Sequence, residues 1–426
     1  MTNKKKSNNF TFIDLFCGIG GFHQALSALG GTCVFASDID ADCRKTYERN
    51  YGLEPVGDIT LVNENDIPDH DVLCGGFPCQ SFSKAGKRKG FKDETKGTLF
   101  FDIMRIVRAK RPKYILLENV RNLASHDNGR TWKVIHNSIR DEGYWILEEP
   151  VIFSPHYIGI PQHRERVFIM AVRKDVGRLP SFVFNPENIQ TCSIDDVLQS
   201  DSEIPDLAHY AISDSLVKVI DHWNEFLSLV YSAGCEVPSF PIWTSCFKNE
   251  ITEIDEYEES LSIPWKLKFI EDNHSFYKRL QRRVEIDSWL SDAEKIPDFF
   301  GAKAKLEWQT SEKCGPDMSI WDYLFQLRPS GIRVKKATYF PALVAMVQIP
   351  VVGKLKRTLT PRECARLQSF PDSFIYDEKE QQAYKQFGNS VNVEVVKLFA
   401  EFLLDMNGVR EKFSQEKQYA KSNALF

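Results

Sequence analysis

The chain is predicted to be an α/β protein carrying a second domain of different character, and three observations support this. Residues 10–16 (FTFIDLF) form an apolar run of strand length that passes through Cys17-Gly18-Ile19-Gly20-Gly21 into the amphipathic stretch 22–29. Strand, glycine turn and helix in that order open a nucleotide-binding α/β unit, because glycine lets the backbone approach a ligand closely. A second apolar run, residues 33–37, ends in Asp38, eighteen residues past Gly20. An acid there is placed to accept hydrogen bonds from ribose hydroxyls. Near Val176 the alternation of strands and helices stops, which marks the second domain.

The elements follow in order. Residues 55–59 end in Gly57-Asp58-Ile59 and offer another polar group at the same edge. The apolar run 71–74 leads through two glycines to Phe77-Pro78-Cys79-Gln80. Residues 98–110 read as a helix closed by Arg111-Pro112. A strongly apolar strand at 114–117 ends in Glu118-Asn119-Val120, a carboxylate at the end where open α/β sheets put their active sites. Residues 131–142 read as a helix, and 145–153 and 167–173 as strands. Between those strands, Gln162-His163-Arg164-Glu165-Arg166 sets two arginines on one face of an extended chain.

Residues 177–325 are rich in Ser, Asp, Glu, Trp and Pro, with helices expected at 213–232 and 272–296. Residues 328–352 are basic and β-rich. Residues 360–368 read as a short helix with proline in its first turn. Gln386-Phe387-Gly388-Asn389-Ser390-Val391 then precedes an amphipathic helix at 393–404, and its glycine–asparagine turn can return to the ligand edge.

Composition narrows the class. Hydrophobic residues make up 42% and charged residues 27% of the 426, as in a soluble globular protein, and no run of eighteen apolar residues predicts a membrane span. The N-terminal MTNKKKSNN lacks the apolar core of a secretory signal, and ten scattered cysteines show no disulfide framework. A reducing, cytoplasmic setting with free thiols is expected. The net charge of −5 hides local fields: acid gathers at 250–259, base at 84–92 and again at Arg333, Lys335, Lys336, Lys354, Lys356, Arg357 and Arg362. Two basic clusters on an acidic protein point to a cleft that steers an anion.

Cys79 is the prime candidate for chemistry. Ser81, Ser83, Gly86 and Gly90 follow it, interleaved with Lys84, Lys87, Arg88, Lys89 and Lys92. That is a loop composition suited to phosphate, and a thiol among cations loses its proton more easily. A metal site from Cys74 and Cys79 has the wrong separation and no second cysteine pair nearby. A buried structural cysteine fits poorly with the polar flanks.

Taken together, Phe16-Cys17-Gly18-Ile19-Gly20-Gly21, Asp38, Gly57-Asp58-Ile59, Gly76-Phe77-Pro78-Cys79-Gln80-Ser81-Phe82-Ser83, Glu118-Asn119-Val120, Gln162-His163-Arg164-Glu165-Arg166, Arg362-Glu363-Cys364-Ala365-Arg366-Leu367 and Gly388-Asn389-Ser390-Val391 resemble, in order, the DNA cytosine-5 methyltransferases of bacterial modification systems. The resemblance covers roughly residues 10–175 and 355–405. It implies a Rossmann-like, mostly parallel sheet in a catalytic domain at 1–176, an inserted target recognition domain at 177–380, and a segment 381–426 that returns to the first domain. It implies S-adenosylmethionine as methyl donor, held by Phe16, Gly18, Gly20, Asp38, Ile39, Asp58, Ile59, Pro78, Asn389 and Val391. Ile39 stands where the family often has an aromatic residue.

By the same resemblance Cys79 adds to carbon 6 of cytosine, Glu118 serves ring nitrogen 3, Arg164 serves the ring carbonyl oxygen, and Arg166 supports the loop or a phosphate. Duplex DNA is the implied partner. A target base buried in the stack must be rotated out. Ser81, Lys84, Lys87, Arg88 and Lys89 from the Cys79 loop, and Arg333, Lys335 and Lys336 from the other cluster, are the candidate DNA contacts. A monomer is expected, and the family's usual setting implies a cognate restriction endonuclease acting separately. Rival readings are an RNA (tRNA) cytosine methyltransferase, a non-catalytic DNA-binding relative and a nicotinamide-dependent dehydrogenase. The second should lack Cys79, Glu118 or Arg164, and the third leaves the Pro-Cys-Gln and Glu-Asn-Val segments without a role.

Overall fold

A computed structural model of the protein describes residues 9–78, 99–185, 187, 189–248, 250–312, 315, 317–345 and 348–414. The chain forms two compact units: Met1–Val197 with Pro341–Val347 and Pro361–Phe426, and Leu198–Phe340 with Gln348–Thr360. These bounds differ from the expected insertion at 177–380. Residues 177–197 join the first unit because Phe182 and Phe184 pack their rings on Phe153 and Phe413. Residues 361–380 join it because Phe370 and Phe374 pack on Phe387.

The first unit is built on a seven-stranded sheet of β1 (Phe10–Leu15), β2 (Gly31–Ser37), β3 (Val72–Gly76), β4 (Tyr114–Val120), β5 (Tyr144–Ile146), β6 (Val151–Phe153) and β7 (Arg166–Arg173). The spatial order is β2-β1-β3-β4-β7-β5, with β6 also paired to β7. Every pairing with β7 is antiparallel and all others are parallel, so six strands run one way and β7 alone runs back. The expected single strand at 145–153 is two, divided around Glu148-Glu149-Pro150, where proline cannot serve a ladder. Residues 55–59 form no strand; Val56 makes one parallel bridge to Ser37.

Helices α1 (Gly21–Ala28), α2 (Ala41–Tyr51), α3 (Leu99–Lys110), α4 (Arg130–Asp141), α5 (Pro361–Leu367), α6 (Glu380–Asn389) and α7 (Val393–Leu404) belong to the unit, and a short helix, Val409–Ser414, follows them. The strands are apolar on both faces, as a covered parallel sheet requires, and Ile13, Leu73, Ile115, Leu117 and Ile169 meet Phe100, Ile103, Val107 and Ile135 in one core. Gly388 and Asn389 close α6 instead of opening a turn before α7.

The second unit has helices Asp214–Ser232, Pro264–Gln281 and Ile286–Ala293 and a six-stranded sheet. The first helix stands where expected, capped by Ser213. The helix expected at 272–296 is broken around 282–285. Leu280 and Ile286 are six residues apart, out of step with a helical repeat, and the break lets both join Trp223, Phe226, Phe276 and Trp289 in the core. Among the described residues no helix is long and apolar enough to cross a membrane.

Candidate active site

The strand order reverses between β1 and β3, so the carboxyl ends of β1 to β4 share one edge where their connections diverge, the usual place for a ligand in such sheets. A cavity of about 420 Å³ opens there. Phe16, Gly18, Asp38, Ile39, Asp58, Ile59, Pro78, Glu118, Arg164, Arg166 and Asn389 line it. These residues come from seven separate stretches of sequence, and the fold gathers them around one cavity.

The glycine turn divides into a ligand side and a packing side. Gly18 has a φ of 52° and open space where a Cβ would stand, and its N–H donates to Asp38 Oδ2 at 2.8 Å. Gly20, with a φ of 86°, is backed by Tyr51, whose ring a Cβ would overlap. Val391 similarly covers Gly21. Neither Gly20 nor Val391 is on the cavity wall; they hold the turn from its other side.

Asp38 accepts a second backbone hydrogen bond, from Asp40 N, at 2.8 Å. Burial raises its pKa, while these two amides oppose the rise. Each carboxylate oxygen keeps a further lone pair for a hydroxyl. Asp58 caps a short turn through Thr60 N at 2.9 Å and Thr60 Oγ1 at 2.8 Å. Ile39 is 76% exposed at the same wall. Acids for hydroxyl and amino groups beside apolar side chains for a ring fit an adenosine-bearing cofactor.

At the other side of the cavity Glu118 and Arg166 form a pair. Arg166 lies opposite Val120 in the β4–β7 ladder, two places along from Glu118, so the two side chains meet diagonally on one face. Arg166 Nε is 3.0 Å from Glu118 Oε1. Gly76 lies opposite Glu118 in β3, and its missing side chain leaves room for the carboxylate, whose Oε2 stands 3.4 Å from where a Cβ would be. Burial pushes the Glu118 pKa up; Arg166 and then Arg164 oppose it. Burial favours its neutral, proton-donating form, and the two arginines favour the ion-paired one.

Arg164 is placed differently from its expected role. Its Nη1 donates to Leu343 O at 2.7 Å, and its Nη2 donates to Gly388 O at 3.0 Å and Ser390 O at 2.9 Å. Both terminal nitrogens are thus engaged by the backbone, and only the buried Nε has no hydrogen-bond partner among the described residues. Burial lowers its pKa to about 9. Arg164 ties α6 and the 390 turn to the cavity, while Arg166 presents the cation beside Glu118.

Asn119, quoted in the sequence only as a neighbour of Glu118, is also placed to act. Its Nδ2 donates to Phe77 O at 2.7 Å, two residues before Cys79. No composition signal distinguishes this amide from a strand-end asparagine. Cys79, Ser81, Lys84, Lys87, Arg88 and Lys89 lie outside the described residues.

The second basic cluster is largely occupied within its own unit. Arg333 Nε donates to Glu307 Oε2 at 2.5 Å, and Lys336 Nζ is 2.7 Å from Glu312 Oε1. Lys335 is half-buried, and burial, with Arg333 beside it, lowers its pKa. Arg357 is buried and donates to Thr358 O, and Lys356 lies over the Trp321 ring at 4.5 Å. In the first unit Arg362 donates to Phe374 O at 2.9 Å.

Solved structures share this fold. Entamoeba histolytica methyltransferase EhMeth matches with a TM-score of 0.51 at 17% identity, over 93% of this chain and 98% of that one. A Spodoptera frugiperda DNMT2 mutant matches with a TM-score of 0.50 at 16% identity, over 92% and 99%. Fold and cavity together define a Rossmann-like α/β protein with a site suited to an adenosine-bearing cofactor.

The profile of the C-5 cytosine-specific DNA methylases matches residues 10–404. Type II methyltransferase M.AluI of Cellulosimicrobium cellulans is 33% identical over 92% of this chain and 91% of its own. M.HhaI of Haemophilus parahaemolyticus is 34% identical over 93% and 94%, and M.HpaII of Haemophilus parainfluenzae 33% over 96% and 92%. The chain belongs to the C-5 cytosine-specific DNA methylase family. It is a DNA cytosine-5 methyltransferase that uses S-adenosylmethionine, which sets aside the RNA-methylating and dehydrogenase readings.

Proposed function

We propose that the protein methylates cytosine within a specific duplex sequence through a covalent bond between Cys79 and carbon 6 of a base rotated out of the helix. The observation that carries this is the Glu118–Arg166 pair, 3.0 Å apart, on the wall of a cavity that also includes Pro78, to which Cys79 is bonded. Carbon 5 of cytosine is a poor nucleophile. Addition of the Cys79 thiolate to carbon 6 forms an S–C bond and moves the ring's electrons toward carbon 5. A protonated Glu118 donates to ring nitrogen 3 and takes up the developing negative charge. Arg166, rather than Arg164, is assigned to the ring carbonyl oxygen. When bound, S-adenosylmethionine supplies an electrophilic methyl group, held against Phe16, Gly18, Asp38, Ile39 and Asp58. Once carbon 5 carries the methyl, its proton leaves to solvent and the nitrogen 3 proton returns to Glu118; the electrons restored to the ring break the S–C bond and expel the Cys79 thiolate.

The second compact unit is assigned to target recognition. Ser81, Lys84, Lys87, Arg88 and Lys89, together with Lys335, are assigned to DNA. The protein is read as a cytoplasmic monomer that works beside a separate restriction endonuclease, in keeping with the Type II names of its relatives. Bisulfite sequencing of DNA from cells expressing the wild type should show one recurrent methylated sequence context, and cells expressing Cys79→Ser should show none. Methylation at the same context by the Cys79→Ser protein would overturn the covalent mechanism.

A further inference from the structure

The glycine turn that forms one wall of the cofactor cavity is clasped at two points by the two ends of α2. Ahead of the helix, Asp38 receives the Gly18 N–H at 2.8 Å. At its last residue, the Tyr51 hydroxyl donates to Gly20 O at 3.0 Å, with Ile19 O a second acceptor at 3.3 Å. The Tyr51 ring also fills the space behind Gly20.

Tyr51 is itself held in place. Its ring stacks on His23, centroids 3.9 Å apart and 12° between planes. His23 Nδ1 is 2.7 Å from the hydroxyl of Tyr47, which is fully buried and reaches Cys33 Sγ at 3.5 Å. Burial lowers the His23 pKa to about 4, so the ring is neutral near pH 7 and stacks without an ionic cost. Tyr47 and Tyr51 are four residues apart on α2 and share a face, so the helix presents both to the turn side of the sheet.

We propose that Tyr51, braced by His23 and Tyr47, is a positioning residue for the methyl donor: it fixes the glycine turn that the donor packs against and so sets affinity for the donor without touching it. The turn contains two glycines at positive φ and Phe16 at a φ of 55°, a shape that the chain alone does not hold firmly. Without the hydroxyl, Gly20 O and Ile19 O lose their shared donor and the turn samples more shapes. This rests on the cofactor placement proposed above.

The test is calorimetric titration of the full chain with S-adenosylhomocysteine, which reads binding without catalysis. Tyr51→Phe keeps the ring and its stack but removes the donor, and should weaken binding about tenfold, the loss of one shared hydrogen bond. Tyr47→Phe, one step removed, should weaken it about twofold by the same reasoning. For Tyr51→Phe, kcat at saturating donor and KM for DNA should stay at wild-type values while KM for the donor rises. Unchanged binding by both variants overturns the proposal. Wild-type protein that binds no S-adenosylhomocysteine overturns the cofactor placement itself, and the proposal with it. Should Tyr51→Phe lose its cooperative thermal transition, Tyr47→Phe decides the matter by the same titration.

Discussion

Two glutamate–arginine pairs, one in each compact unit, use the same residue types for different ends. Glu118 and Arg166 meet at 3.0 Å near the end of β4; Glu307 and Arg333 meet at 2.5 Å directly across two neighbouring strands. Glu118 lines the cavity beside Pro78 and Asn119, whereas Glu307 is a mid-strand residue with Lys335 also close by. Both carboxylates are buried. Burial of a charged pair therefore does not identify a reaction site. What separates them is whether the strand runs out at an edge where a ligand can reach the carboxyl.

The comparison is broken most easily by neutralising each glutamate in turn. Glu118→Gln should lower methyl transfer by about 10²–10⁴-fold, the usual contribution of a positioned proton donor. Glu307→Gln should leave the rate per folded molecule unchanged. Transfer of a tritiated methyl group to duplex DNA, normalised to the folded fraction, measures both. Equal rates for wild type and Glu118→Gln would remove Glu118 from the chemistry.

Removing the arginines sharpens the contrast from the other side. Arg333→Met leaves the Glu307 carboxylate buried beside an apolar side chain, and Glu307 is only 4% exposed. Stripping a buried pair of one partner costs about 3 kcal/mol, somewhat less here because Lys335 is near. The urea midpoint should fall accordingly. A loss of DNA affinity with no change in the midpoint would instead return Arg333 to the DNA contacts.

How much of this was legible in the chain depends on whether the information was local. Strands, the glycine turn, the acid after β2 and the carboxylate near the end of β4 are local patterns, and the structure has them where residues 10–38 and 114–118 predict. The roles of the two arginines were not legible. Arg164 and Arg166 are equivalent by spacing, and only the cross-strand register with Val120, and the carbonyls of Leu343, Gly388 and Ser390, tell them apart. The ion pair inside the basic cluster was not legible for the same reason: Glu307 lies 26 residues before Arg333, and nothing in either segment announces their pairing. Gly20 resembles Gly18 until Tyr51 is seen behind it. The break between Gln281 and Ile286 was visible in principle, since the apolar spacing changes there.

The smallest effect concerns pH and bears on what holds Glu118. Its pKa in the folded protein is raised above the ordinary 4.5, with burial outweighing the two arginines. Below pH 4.5 the side chain is protonated in both folded and unfolded states, so burying it carries no ionisation cost. As pH rises past that value the unfolded chain releases its proton first, and the wild type loses stability until the folded pKa is passed. The loss is about 1.4 kcal/mol for each unit between the two values. Glutamine does not ionise, so Glu118→Gln should gain on the wild type in thermal midpoint as pH is raised from 5 to 8. A gap that moves the other way would mean that pairing with Arg166 outweighs burial. Glu118 would then be an ion-pair staple of the kind Glu307 forms, and its proposed role as proton donor at ring nitrogen 3 would lose its physical basis.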